Sequence, residues 1–299
     1  MLLCIFEVYY KGVVFLRQLI INADDFGITE AVNNGIIQGH ITGVISSTTI
    51  MPSGNAFEHA AALALANKEL GIGVHLTLVG EKPLCDPITI PSLVDHEERL
   101  SSQYPEFLLR YCLGQIQLDD IRKELTAQVQ KVMDWGISIT HLDSHQHMHI
   151  VPGIIDITIE IAKKFGIQKM RIPAEPYLFL GGYPFSPVRV VARAGLTFLA
   201  QLARRKLKKE GFTVPEHFFG MLAGGNMSEE FLLRIIDMLP HGTSEIMMHP
   251  GADDSILQTM YNWNYHWQAE LNAATSLQVR EKITNHQINL ISFRELEYD

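Results

Sequence analysis

The sequence predicts an α/β fold: a distorted (β/α) barrel of TIM-barrel type with helical insertions. Three observations predict it. Short apolar or β-branched runs alternate with helix-period segments almost from end to end of the 299 residues, the pattern of a parallel sheet with helices outside. About seven such units follow one another, which favours a closed or nearly closed barrel over an open doubly wound sheet. The polar residues of greatest chemical interest fall where strand candidates end, the rim at which parallel barrels place their chemistry.

Taken in order, the strand candidates are 18–22, 44–51, 71–78, 138–142, 169–172, 244–248 and 287–292. Helix-period segments lie between them at 30–39, 57–67, 119–135, 153–165, 229–239 and 277–286. Two insertions break the rhythm. The first, 81–118, carries prolines before a helical stretch; the second, 173–216, holds Pro173, Pro176, Pro184 and Pro187 and then an amphipathic stretch, 188–209, with a basic end. Strand candidates resume after each, so residues 18–299 read as one domain, and residues 1–17 as an N-terminal extension before the first core strand.

Composition narrows the class. The chain is 47% hydrophobic and 19% charged, ordinary for a globular protein, and its formal charge of −9 argues against a nucleic-acid partner. Cys4, Cys85 and Cys112 show neither metal-finger spacing nor a disulfide framework, which points to a reducing, cytoplasmic setting. The basic segment 188–209 has two readings, a solvated helix end complementing the macrodipole or a peripheral contact with an anionic membrane surface.

The chemistry begins at Asp24-Asp25-Phe26-Gly27, directly after the apolar run Leu19-Ile20-Ile21. Adjacent carboxylates at the end of a buried strand repel and lose hydration, which raises one pKa sharply unless a cation or strong donors meet them. A divalent metal relieves that conflict and leaves one carboxylate free as a base. The remaining ligands are sought among the histidines. His141-Leu142-Asp143-Ser144-His145-Gln146-His147-Met148-His149 packs four histidines and an aspartate into nine residues. In extended backbone the alternate residues point to one side, and one or two of them reach a shared ion. His75, in Gly73-Val74-His75-Leu76, reads alone as a hydrogen-bonded core histidine, but beside the aspartate pair and the histidine cluster it becomes a ligand candidate. One carboxylate with two imidazoles suits a catalytic divalent metal that keeps open positions. His249, before Pro250-Gly251, is either a general acid or base or a partner for a strand-end carbonyl. Arg171 either binds a substrate oxygen or holds a carboxylate in place. Trp263, Tyr265, His266 and Trp267 pack a helix or offer faces to a sugar ring.

These motifs in this order, from about Gln18 to Leu296, resemble the YdjC-like carbohydrate deacetylase family, which includes chitooligosaccharide deacetylases and hopanoid-associated HpnK-type proteins. Arg171-Ile172-Pro173-Ala174-Glu175-Pro176 and His217-Phe218-Phe219-Gly220 look more like the hopanoid-associated branch. The resemblance implies a distorted (β/α) barrel, commonly dimeric. It implies one divalent ion (Mg or Zn first, Mn or Co also suited) held by Asp25, His75 and His145. It further implies Asp24 as the base that activates water and His249 as the acid that protonates the leaving amine. Arg171, Asp143 and His147 are left as residues that bind or orient substrate. The expected reaction is removal of acetyl from an N-acetylated sugar, free or lipid-linked. The alternatives are another metal-dependent amidohydrolase, a phosphoesterase, or a sugar-binding protein with a vestigial site.

Overall fold

The computed structural model describes residues 17–179 and 187–297. The expected extension lies outside the described residues except for Arg17, which already belongs to the first strand. In chain order the elements are β1 (Arg17–Phe26), α1 (Glu30–Ile41), β2 (Ser47–Ile50), α2 (Phe57–Ala66), β3 (Gly71–Leu76), α3 (Tyr104–Cys112), α4 (Leu118–Asp134), β4 (Ile139–Ser144) and α5 (Ile154–Lys164). They continue with α6 (Pro187–Lys209), β5 (His217–Phe219), α7 (Glu229–Met238), β6 (Gly242–Met248), α8 (Asp254–Met260), α9 (Trp267–Thr275), α10 (Leu277–Asn285) and β7 (Asn289–Leu290).

Among the described residues the strands form a seven-stranded sheet in the order β4-β3-β2-β1-β6-β5, with β7 also on β1. Every pairing is parallel. Parallel neighbours require a crossover, and α1, α2 and α4 supply those that carry the chain from β1 through to β4. β1 is buried from Leu19 to Phe26, flanked by partners on both sides, hence the continuous apolar run in its first half.

The expected strand 169–172 is corrected to two isolated bridges, Leu142 with Met170 and Lys169 with Thr213. Pro173 has no N–H to extend the ladder and disfavours regular pairing at its junction. The few bonds that remain still matter. Leu142 donates to the Lys169 carbonyl, Arg171 to the Leu142 carbonyl, and Met170 to the Thr213 carbonyl. They carry the ring from β4 toward β5, giving the distorted (β/α) barrel that the sequence predicts. β5, only three residues long, begins directly after the stretch read as an insertion and was not among the strand candidates; nothing in its length distinguishes it from loop.

Two glycines are required by close approach. Gly27 has φ +108° at the exit of β1, a conformation that L side chains rarely adopt. A Cβ at Gly73 would lie 2.5 Å from the His141 ring, so glycine in β3 makes room for that imidazole. His141 stacks on Phe293 with ring centroids 3.5 Å apart. It is therefore a core residue and belongs to neither compact Asp/His group that could hold a cation.

Candidate active site

Because the sheet is parallel, the C-terminal ends of β1, β3, β4 and β6 open on one rim. β1 arrives there irregularly. Its pairing with β2 shifts register between Ala23 and Phe26, and Asp25 adopts φ +66°. In a regular strand Asp24 and Asp25 would face opposite sides. The irregularity lets both carboxylates turn to the same cluster.

Asp25 Oδ1 lies 3.4 Å from His75 Nε2 and 3.1 Å from His145 Nδ1. The structure thus brings together three residues that are 50 and 120 positions apart in sequence. All three are buried, and their ligand atoms fall within 4.8 Å of one another. Burial alone would raise the Asp25 carboxyl, but the His145 and His75 imidazoles override it and hold Asp25 well below the usual carboxylate range. The donor set fits a divalent metal: one anionic oxygen and two imidazole nitrogens converge in a buried site.

Behind these residues lies a second layer. His75 Nδ1 is 2.8 Å from Asp143 Oδ1, and Thr49 Oγ1 lies 3.1 Å from the same nitrogen. That contact turns His75 Nε2 toward Asp25, the usual way a carboxylate orients a ligating imidazole. Burial lowers the His75 pKa, but Asp143, Asp25 and Asp24 together outweigh it and lift the group to about 10.

Arg171 is fully buried and joins three carboxylates. Its Nη1 and Nη2 meet Asp24 Oδ2 and Oδ1 at 2.6 and 2.7 Å. Nη1 also lies 2.7 Å from Asp143 Oδ2, and Nε lies 2.7 Å from Glu245 Oε1. Of the two roles open to Arg171, the structure places it on carboxylates, out of contact with solvent. Asp24, His75 and Asp143 form a second geometrically compact ligand group. The Arg171 guanidinium already neutralises both of its acids, so the Asp25 group is the better cation site.

The histidine-rich stretch departs from the expected alternation. β4 ends at Ser144, and residues His145–Ile150 form a 3₁₀ turn in which Gln146 and His147 have φ of +53° and +57°. A side-chain period of two does not survive that turn, and only His145 reaches Asp25. His149 is instead a brace: its Nδ1 meets Ser144 Oγ at 2.6 Å and its Nε2 meets the Arg171 carbonyl at 3.0 Å. His147 packs edge-on against Phe218, and its Nδ1 has no hydrogen-bond partner.

His249 follows β6. The β1–β6 register pairs Ala23 with Met248, so Asp24 and His249 leave adjacent strand ends. Its backbone N–H donates to Glu270, its ring lies 4.9 Å from Tyr265, and its buried Nδ1 has no partner. An imidazole nitrogen held without a partner beside the acid cluster is available to a bound molecule.

Several site residues were not singled out from sequence. Asn22 Nδ2 donates to Asp24 Oδ1 at 2.9 Å, and Glu245 anchors Arg171. The signal for Glu245 was available: a charged residue inside an otherwise apolar strand demands a partner. Burial raises Glu245 to about 7 against the opposing pull of Arg171. Burial likewise pushes Glu81 to about 7, with His145 opposing and Asp25 adding to the rise. The rim is aromatic: Trp263 lies 5.6 Å from His145 and 4.5 and 5.4 Å from Tyr261 and Tyr265.

The sequence model of the YdjC-like protein family matches residues 18–285. A carbohydrate deacetylase of Brevibacillus brevis is 32% identical over 287 residues, covering 93% of this chain and 99% of that protein. A chitooligosaccharide deacetylase of an Enterobacter species is 31% identical, covering 94% of this chain and 99% of its own. Among solved structures, a protein of Enterococcus faecalis described as a cellobiose-phosphate cleavage protein superposes with a TM-score of 0.75. It is 28% identical, covering 95% of this chain and all of its own.

Proposed function

The chain belongs to the YdjC-like family, and from that premise we propose that it is a metal-dependent deacetylase that hydrolyses the N-acetyl group of an amino sugar. The observation that carries the proposal is the meeting of Asp25, His75 and His145 at a rim that also holds Asp24 and His249. Relatives of similar length named as carbohydrate deacetylases support it.

Asp25, His75 and His145 would hold the cation. A divalent ion there supplies Lewis acidity, which lowers the pKa of water and offsets negative charge developing on the amide oxygen. Asp24 receives the proton of the attacking water. Arg171 and Asn22 fix its carboxylate: Oδ1 accepts from both, while Oδ2 accepts from Arg171 Nη1 and keeps its second lone pair for the proton. His249 donates a proton to the departing nitrogen, without which an amine does not leave. Trp263, Tyr261 and Tyr265 offer flat apolar faces to a sugar ring. A cavity of about 240 Å³ lined by Tyr261, Asn262, Asn264, Tyr265 and neighbours adds amide groups that can bond its hydroxyls.

Acetate release tests the proposal directly. Metal-loaded protein should free acetate from N-acetylated oligosaccharides, stop when chelated and resume when a divalent ion returns. Activity on phosphate or simple carboxylic esters, with none on N-acetyl sugars, would replace this reading by that of another metal hydrolase.

A further inference from the structure

The long helix α6 contributes nothing to the chemistry above, yet its outer face is unusual for a chain of net charge −9. Its 23 residues contain no Asp or Glu, and seven are Lys or Arg. Its inner face seats it on the barrel: Arg193, Thr197, Ala200, Ala203 and Leu207 are buried. Arg193 lies 3.8 Å from Glu175, and Thr197 donates to the Glu175 carbonyl. On the outer face Val191, Phe198 and Leu202 are 71%, 58% and 44% exposed. They recur at helical spacing and run into the exposed Arg205, Lys208 and Lys209.

We propose that this face of α6 docks the protein onto an anionic lipid surface, with Phe198 and Leu202 entering the headgroup boundary and Arg205, Lys208 and Lys209 meeting lipid phosphates. Two further observations point to that occupant. No helix among the described residues is long and apolar enough to cross a membrane, so α6 would lie in the interface plane. The helix also packs against the 3₁₀ turn that begins with His145, which sets it beside the candidate site. Docking therefore sets the site mouth beside the headgroup layer. A second copy of the chain fits less well: a two-fold contact would lay α6 against itself, with no acid on the helix to meet its cations.

Vesicle co-sedimentation tests the proposal. Wild-type protein should bind phosphatidylcholine vesicles containing phosphatidylglycerol, ignore vesicles of phosphatidylcholine alone, and lose affinity as salt rises. Phe198→Ser with Leu202→Ser, and separately Arg205→Glu with Lys209→Glu, should each weaken binding roughly tenfold or more. Both double variants should keep the thermal midpoint and the activity of wild type toward soluble oligosaccharides. Wild-type protein that stays in the supernatant with anionic vesicles overturns the proposal, as do variants that bind like wild type. A wild-type dimer that Phe198→Ser with Leu202→Ser splits would give the face to a second copy instead. The binding assay needs no turnover, so failure of the deacetylase reading leaves its result intact.

Discussion

Arg171 grips Asp24 by both carboxylate oxygens, at 2.6 and 2.7 Å, from a position with no solvent exposure. A guanidinium fork fixes a carboxylate in plane as well as in place, which a lysine ammonium does not. Arg171→Lys should therefore keep the charge and lose the alignment. The expected outcome is a fall in kcat of roughly 100-fold with little change in KM, read as acetate release. Arg171→Met leaves Asp24, Asp143 and Glu245 buried without their cation and should cost about 3–5 kcal/mol of stability, measured by chemical unfolding.

Asp24 and Asp25 are adjacent but hold different partners, guanidinium for one and imidazoles for the other. Asp24→Asn should abolish turnover, to below about 1% of wild type, while sparing metal uptake. Asp25→Asn should weaken both. Metal content by elemental analysis alongside acetate release separates the two; identical behaviour would contradict the division of roles.

Metal uptake should release protons. Burial lowers the His75 pKa, but Asp143, Asp25 and Asp24 together raise it to about 10, so the ring is protonated near neutrality before a cation binds. Ligation through Nε2 requires the neutral ring, so a proton leaves as the cation enters. Apparent affinity should then rise with pH, by up to about tenfold per unit below pH 10. Calorimetric titration in buffers of different ionisation enthalpy measures the protons released, and Asp143→Asn should reduce that number.

His141, outside the candidate ligand group, sets a pH dependence of stability. Burial holds its pKa down to about 3 from the ordinary 6.5, so it is neutral when folded. The unfolded chain binds a proton that the native state refuses, so stability present above 6.5 is lost as pH falls toward about 3. His141→Leu removes that term. Relative to wild type, the variant should gain up to about 1.4 kcal/mol per pH unit between pH 6.5 and 4, measured by urea unfolding at several pH values.

The sequence exposed the parts of the site whose polar residues interrupt apolar runs. Asp24, Asp25 and His75 stand out because buried strands rarely tolerate charge without a reason. Residue types alone leave His145 as one member of a cluster, and only the family resemblance selects it over His147 and His149; the physical reason lies in the 3₁₀ turn, whose positive φ at Gln146 and His147 has no composition signal. The two roles of Arg171 could be separated only by the fold, since Glu245 lies 74 residues away and Asp24 lies 147 away. Likewise 169–172 has the composition of a strand but the partners of a bridge, because Pro173 stops the ladder just as it forms.

The sharpest test is where a divalent ion sits. An anomalous diffraction map from crystals grown with manganese or zinc should show one strong peak within about 2.0–2.3 Å of Asp25 Oδ1, His75 Nε2 and His145 Nδ1. A peak between Asp24 and Asp143, or none at this rim while the protein still releases acetate, would contradict the account.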